Sequence, residues 1–238
     1  MKKIFYILIC LGMLLTTNVF AESNFYQNKY GVSFTENEYD FISKVYFDGY
    51  QNFMTQDDYN EFVSSDIMNN YNKTIQITQN SNSRAIHETS AKILKMSSSC
   101  GSSTCTIITT LTWKREPVVK SYDLIGAFLN NTTSSGTPNN HLYYGDNVML
   151  PVETKKVSNG ISATYDLPNT SEAMNFVQSF TVEKTGKVYV SYQHAKQNIS
   201  LANSRKYSFS ASGYGGVFVF NEGINNYYDA MQGLSMTL

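Results

Sequence analysis

The chain has 238 residues, of which 18 are basic and 19 acidic, a net charge of −1. Only 16% of its residues are charged, while Ser, Thr, Asn and Tyr are abundant. A slightly acidic, charge-poor chain lacks the basic patches with which a nucleic-acid binder displaces counterions, so that class is excluded. The length suits one or two domains, with one favoured for an all-β chain, and such a fold hides roughly 70% of its unfolded surface.

In chain order, Lys2-Lys3 followed by an apolar run from Ile4 to Leu15, then Val19-Phe20-Ala21, reads as a signal peptide over 1–21. The run is shorter than the about 20 apolar residues of a transmembrane helix. The expected product is a secreted protein of residues 22–238, extracellular, periplasmic or on the cell surface. Loss of Lys2 and Lys3 leaves 16 basic against 19 acidic side chains, a net charge of −3. Five Asn-x-Ser/Thr sequons, at Asn72, Asn130, Asn131, Asn169 and Asn198, would matter only in a eukaryotic secretory pathway, and the Lys-Lys signal reads as bacterial.

Residues 35–65 carry helix grammar. Thr35 and Glu38 form a capping box, and Phe41, Ile42, Val45 and Tyr46 share one face before Gly49, which is read as the stop. Thr55 and Asp58 repeat the box ahead of Tyr59, Phe62 and Val63. A short N-terminal helical hairpin is predicted. Asp57, Asp58 and Glu61 are read as capping and dipole-compensating acids rather than catalytic carboxylates.

From about Asn72 the period becomes two: Ile75 and Ile77, then Val188, Val190 and Tyr192, then Tyr207, Phe209 and Ala211 alternate with polar residues. Turn signals occur at 80–83, at Arg115-Glu116-Pro117, at Ser134 to Pro138, at Ser158-Asn159-Gly160 and at Lys184-Thr185-Gly186. Roughly ten strands over 72–221 predict a mainly β fold, an antiparallel β-sandwich with a jelly roll or barrel as alternative. No linker separates helices from strands, so residues 22–238 are read as a single β-rich domain.

Cys10 leaves with the signal, so Cys100 and Cys105 remain as a disulfide pair across a tight turn. If the two cysteines face each other, the register follows: Leu94 opposite Leu111, Met96 opposite Thr109, Ser98 opposite Ile107 and Lys92 opposite Trp113. Trp113, the single tryptophan, is expected to anchor the core or its rim. It opens a motif-like run to Gly126, WKREPVVKSYDLIG, with a turn at Pro117.

No nucleophile elbow or metal motif is present, and no cofactor, metal or catalytic residue is assigned. His87, His141 and His194 stand in separate segments, as do Asp123, Asp146, Asp166, Glu222 and Asp229. Two Tyr/Asn/Asp-bearing segments suit sugar binding. One is His141 to Asn147, with Tyr143, Tyr144, Asp146 and Asn147; the other is Gly213 to Gly216 with Asn221 to Asp229, which holds Tyr227 and Tyr228. Tyr joins a flat apolar ring to a polar tip, and loops commonly carry binding sites. The expected function is a non-catalytic binding module for carbohydrate or a cell-surface component, and the reading leans against an enzyme. The charge-free stretches 96–113, 124–145 and 207–221 suggest, as an alternative, a membrane-active pore-forming-like β protein. A secreted hydrolase is the second alternative.

Overall fold

The computed structural model describes residues 25–47, 49–75, 83–211, 216–229, 231 and 233–238. The expected signal peptide, Cys10, the Ile77 strand position and Gly213 to Gly215 lie outside these residues. The described elements, in order, are β1 (Phe25–Gln27), β2 (Ser33–Thr35), α1 (Glu36–Val45), α2 (Gln56–Ser64), α3 (Asp66–Ile75), β3 (Ser83–Glu88), β4 (Lys92–Cys100), β5 (Thr104–Trp113), β6 (Tyr122–Asn130) and β7 (Ser134–Tyr144). They continue with β8 (Asn147–Met149), β9 (Glu153–Val157), β10 (Gly160–Asp166), β11 (Asn175–Glu183), β12 (Lys187–Gln193), α4 (Leu201–Ser204), β13 (Tyr207–Phe209), β14 (Phe218–Phe220) and β15 (Leu234–Thr237). The fold is mainly β, with antiparallel sheets, none of them closed.

Both capping boxes form: the Thr35 and Thr55 hydroxyls accept from the N–H groups of Glu38 and Asp58, whose carboxylates accept in return from the cap N–H groups. These bonds hold the Asp58 carboxyl below its usual range, the behaviour of a capping acid. Two details depart from expectation. Helix α1 ends at Tyr46, in extended backbone, and Gly49 (φ 71°) instead opens a 3-10 turn over Tyr50–Asn52. Residues 66–75 form a third helix, so Ile75 is helical rather than the start of a strand. Ile67, Met68, Tyr71 and Ile75 recur at helical spacing there and all pack into the cluster that α1 joins. The alternation of Ile75 with Ile77 is too short to outweigh that longer period.

Strands order as β3-β4-β5-β11-β7-β8 in a six-stranded sheet and β15-β12-β6-β10-β9 in a five-stranded one. The cystine register is the expected one throughout: Cys100 faces Cys105, Leu94 faces Leu111, Met96 faces Thr109, Ser98 faces Ile107 and Lys92 faces Trp113. The stretch Ser134 to Pro138 departs from its expected turn. It is the opening of β7, and the register against β11 skips there between Ser179 and Thr181. Proline cannot donate to a ladder, and a bulge removes the need for it to do so.

Pleating splits each strand's side chains between two clusters. From the six-stranded sheet, Leu94, Ile107, Leu111, Leu142 and Phe176 meet Ile125, Ala127, Ile161, Ala163, Val190 and Tyr192 of the five-stranded sheet in one buried core. The intervening residues Ile108, Tyr143 and Val177 point the other way, into Phe41, Ile42, Val45, Phe62 and Tyr71 of the helices. Across the five-stranded sheet, Leu124 and Phe128 lie under Ile199, Tyr207, Phe209, Phe218 and Tyr228 of the C-terminal segment. Helices and C-terminal segment therefore each cover the face of a sheet turned away from the shared core. Strands covered on both faces need apolar or neutral residues at every position, which accounts for the absence of charge across 96–113 and 124–129.

Gly126 marks how closely this cover lies. A Cβ there would stand 2.6 Å from the Ile161 carbonyl and 2.7 Å from the Phe218 ring. Gly126→Ala is expected to cost about 1–3 kcal/mol by overpacking, read as a lowered urea midpoint with unchanged slope. The Cys100→Ser/Cys105→Ser pair is expected to cost roughly 2 kcal/mol or less, because the loop it closes is short. A loss above 4 kcal/mol in the same urea titration would contradict that entropic account.

Candidate functional site

The motif-like run Trp113 to Gly126 leaves β5, forms a strap, and returns as β6. The strap is pinned at both ends. Lys114 N–H donates to the Ala91 carbonyl (2.7 Å), and the Ser121 hydroxyl accepts from Ile199 N–H (3.0 Å). Between them Val118 is 99% exposed, and two hollows adjoin the strap. The larger, a cleft of about 500 Å³, is lined by Ala91, Lys92, Trp113, Arg115 to Val119, His194, Lys196 and Asp229. That volume falls within the range of small-molecule sites.

Behind the cleft stands Asp123, a carboxylate with no exposed surface. Its position next to Leu124 and Ile125 on β6 places it under cover, and three donors meet it. Tyr192 Oη–H donates to Oδ2, Ala195 N–H to Oδ1 (2.9 Å), and His194 Nδ1 lies 2.9 and 3.1 Å from the two oxygens. A carboxylate only accepts, so His194 Nδ1 carries a proton; in the neutral tautomer this fixes, the lone pair lies on Nε2. Burial, reinforced by the Asp123 charge, pushes the Tyr192 phenol well above its ordinary range. Tyr192 therefore stays protonated and donating. Its oxygen in turn accepts from Trp113 Nε1 (3.1 Å), and the Trp113 ring meets the His194 ring edge to face with centroids 4.8 Å apart.

A second acid holds His194 from its backbone side. Asp229 Oδ1 accepts from His194 N–H (2.9 Å), and Asp229 N–H donates to the His194 carbonyl (2.8 Å). Asp229 Oδ2 pairs with Lys92, whose ammonium also lies 5.0 Å from the Trp113 ring centroid and 5.4 Å from that of Tyr192. The register that sets Lys92 opposite Trp113 is what brings this cation under the cleft.

The tyrosines selected from sequence are placed elsewhere. Tyr143 is fully buried and packs edge to face on Phe41 and Tyr71, and Tyr144 packs against the shared core. Asp146 is exposed and accepts from the Tyr46 hydroxyl; Asn147 pairs with Tyr144 in the β7–β8 hairpin. Burial and the nearby Asp146 charge raise the Glu172 carboxyl above its usual range. Tyr228 is buried, with its hydroxyl donating to the Tyr122 carbonyl (3.1 Å), and Tyr227 packs in the same C-terminal cluster. Tyr143 and Tyr228 thus lie in different clusters, on the outer faces of different sheets, and the structure does not bring the two segments together. Among the other histidines, His87 faces Leu94, and His141 lies beside Val177 with its pKa lowered by burial.

The residues that do converge were visible singly. Asp123 is an acid set directly against the apolar run Leu124 to Leu129, and His194 ends an alternating strand. Among the described residues no group of three or more His, Cys, Asp or Glu side chains is arranged to hold a metal ion, and no described helix is long and apolar enough to cross a membrane. No protein-family model matches the chain, and neither a curated protein nor a solved structure matches it.

Tyr192→Phe deletes a donor to a buried carboxylate and the acceptor for Trp113. The expected cost is about 1.5–3 kcal/mol, together with a change in the emission of Trp113, the only tryptophan. Urea unfolding followed by fluorescence reads both; a wild-type midpoint would show that this hydroxyl is dispensable.

Proposed function

We propose that the chain is a secreted, single-domain binding module, built as a β-sandwich of its two large sheets, and that its ligand is carbohydrate. The seat is the strap cleft rather than the tyrosines of 143–144 and 227–228, whose rings are committed to packing. The observation that carries this reading is the fixed His194 ring on the cleft wall. Nδ1 is spent on a buried carboxylate, and Nε2 is left as a preset acceptor for a ligand hydroxyl. Pro117, Val119 and Ala91 add apolar wall for the C–H face of a sugar ring. Preorganisation of this kind lowers the ordering cost of binding.

The hydrolase alternative gains support from one observation, the His194–Asp123 pair, which has the form of a general base and its orienting acid. The residues lining the cleft include no Ser, Thr or Cys, and its acids Asp229 and Glu116 are each held in an ion pair, so water activated by His194 is the nucleophile this reading favours.

The test is binding of the full-length protein to an array of glycans and cell-wall polysaccharides. A variant with Pro117-Val118-Val119 replaced by Gly-Ser-Gly, a Tyr143→Ala/Tyr144→Ala variant and His194→Gln are run alongside. Selective binding lost in the strap and His194 variants is the expected result. Loss confined to the tyrosine variant, with its melting temperature unchanged, would return the site to 143–144. Release of reducing sugar that His194→Gln abolishes would favour the hydrolase.

A further inference from the structure

We propose that the cleft selects a saccharide carrying an anionic group, a carboxylate or a sulfate, with Arg115 and Lys196 as its charge partners. The inference rests on the carbohydrate reading above and names the class of sugar.

Charge around the cleft does not balance. Each acid lining it is already matched: Asp229 pairs with Lys92, and Glu116 pairs with Lys120. Asp123, behind the wall, is satisfied by its three donors. Arg115 and Lys196 are then left over, two exposed cations with no side-chain partner among the described residues. They come from two separate segments that line the cleft, and each segment is anchored. Arg115 follows Lys114, whose N–H is bonded to Ala91 O (2.7 Å), and Lys196 N–H donates to Tyr227 O (2.7 Å).

This surplus of positive charge sits on a chain whose net charge is −1. The chain has no net positive charge to attract polyanions at large, so cations in a cleft favour an anionic group presented on a small, shaped ligand. Guanidinium offers a planar fork that matches carboxylate or sulfate oxygens, and the ammonium adds a second donor. His194 Nε2 offers the complementary acceptor for a hydroxyl. Two cations, one acceptor and an apolar wall together describe a hydroxylated ring bearing an acid.

The experiment titrates the full-length protein with oligogalacturonate, a sulfated galactose oligomer and a neutral galactose oligomer, reading Trp113 emission in the cleft wall. Wild type is expected to bind at least one acidic oligomer about tenfold more tightly than the neutral one, with a preference that shrinks as salt rises. The Arg115→Ala/Lys196→Ala variant, removing two exposed and unpaired side chains, should melt like wild type and lose the preference while keeping neutral binding. The two acidic arms separate carboxylate from sulfate. Equal response to neutral and acidic oligomers, or a preference that survives the double variant, overturns this proposal and leaves the carbohydrate reading standing. No response to any of the three, by fluorescence and by calorimetry, overturns both.

Discussion

A buried carboxylate must be neutralised by donors that cannot leave, and Asp123 imposes that requirement where the major parts of the chain meet. Its oxygens gather donors from β12 and from the start of the C-terminal segment, through Tyr192, His194 and Ala195. Tyr192 carries the connection across the shared core to Trp113 at the end of β5, in the other sheet. Lys92 and Asp229 close the circuit between β4 and the C-terminal segment. Leaving such a group unpaired costs about 3–5 kcal/mol, a large fraction of a domain's stability. The relative position of the sheets at this end is therefore tied to one carboxylate, and the cleft is the outer side of that tie.

This arrangement gives His194 its character. A histidine held by one contact can swing or change tautomer; here the ring is bonded to Asp123, its backbone is pinned twice by Asp229, and Trp113 stands against it edge to face. Rigidity at a cleft wall costs ordering free energy during folding rather than during binding. The strap opposite is different: it is fixed at Lys114 and Ser121 and solvent-exposed at Val118 between them. A firm wall facing a free-standing loop is a common division of labour in binding sites, where a scaffold fixes polar groups and a loop supplies shape.

Covering both large sheets on their outer faces explains where the aromatic residues of the two Tyr/Asn/Asp segments go. Tyr143 and Tyr228 stand next to Asn, Gly and Asp, the company that binding tyrosines keep. Each is instead absorbed by a covering layer, helices in one case and the C-terminal segment in the other. The charge-free stretches have the same origin. A two-sided burial pattern in strands and a lipid-facing one both exclude charge, so composition alone does not separate them.

What the sequence determined by itself was local: the capping boxes at Thr35 and Thr55, the alternation of β12 and β13, and the register of the cystine hairpin down to Lys92 opposite Trp113. Such features follow from periods of 2 and 3.6 and from one covalent link across a five-residue separation, all of them short-range constraints. Tertiary structure alone decided which apolar face met which. It folded Ser134 to Pro138 into a bulged strand and put Tyr143 and Tyr228 into covering layers on different sheets. It also assembled the site, because Lys92, Trp113, Asp123, His194 and Asp229 come from five separate positions along the chain, the outermost 137 residues apart. Contacts that distant are set by sheet order and by what each buried charge requires, and neither is written in any local period.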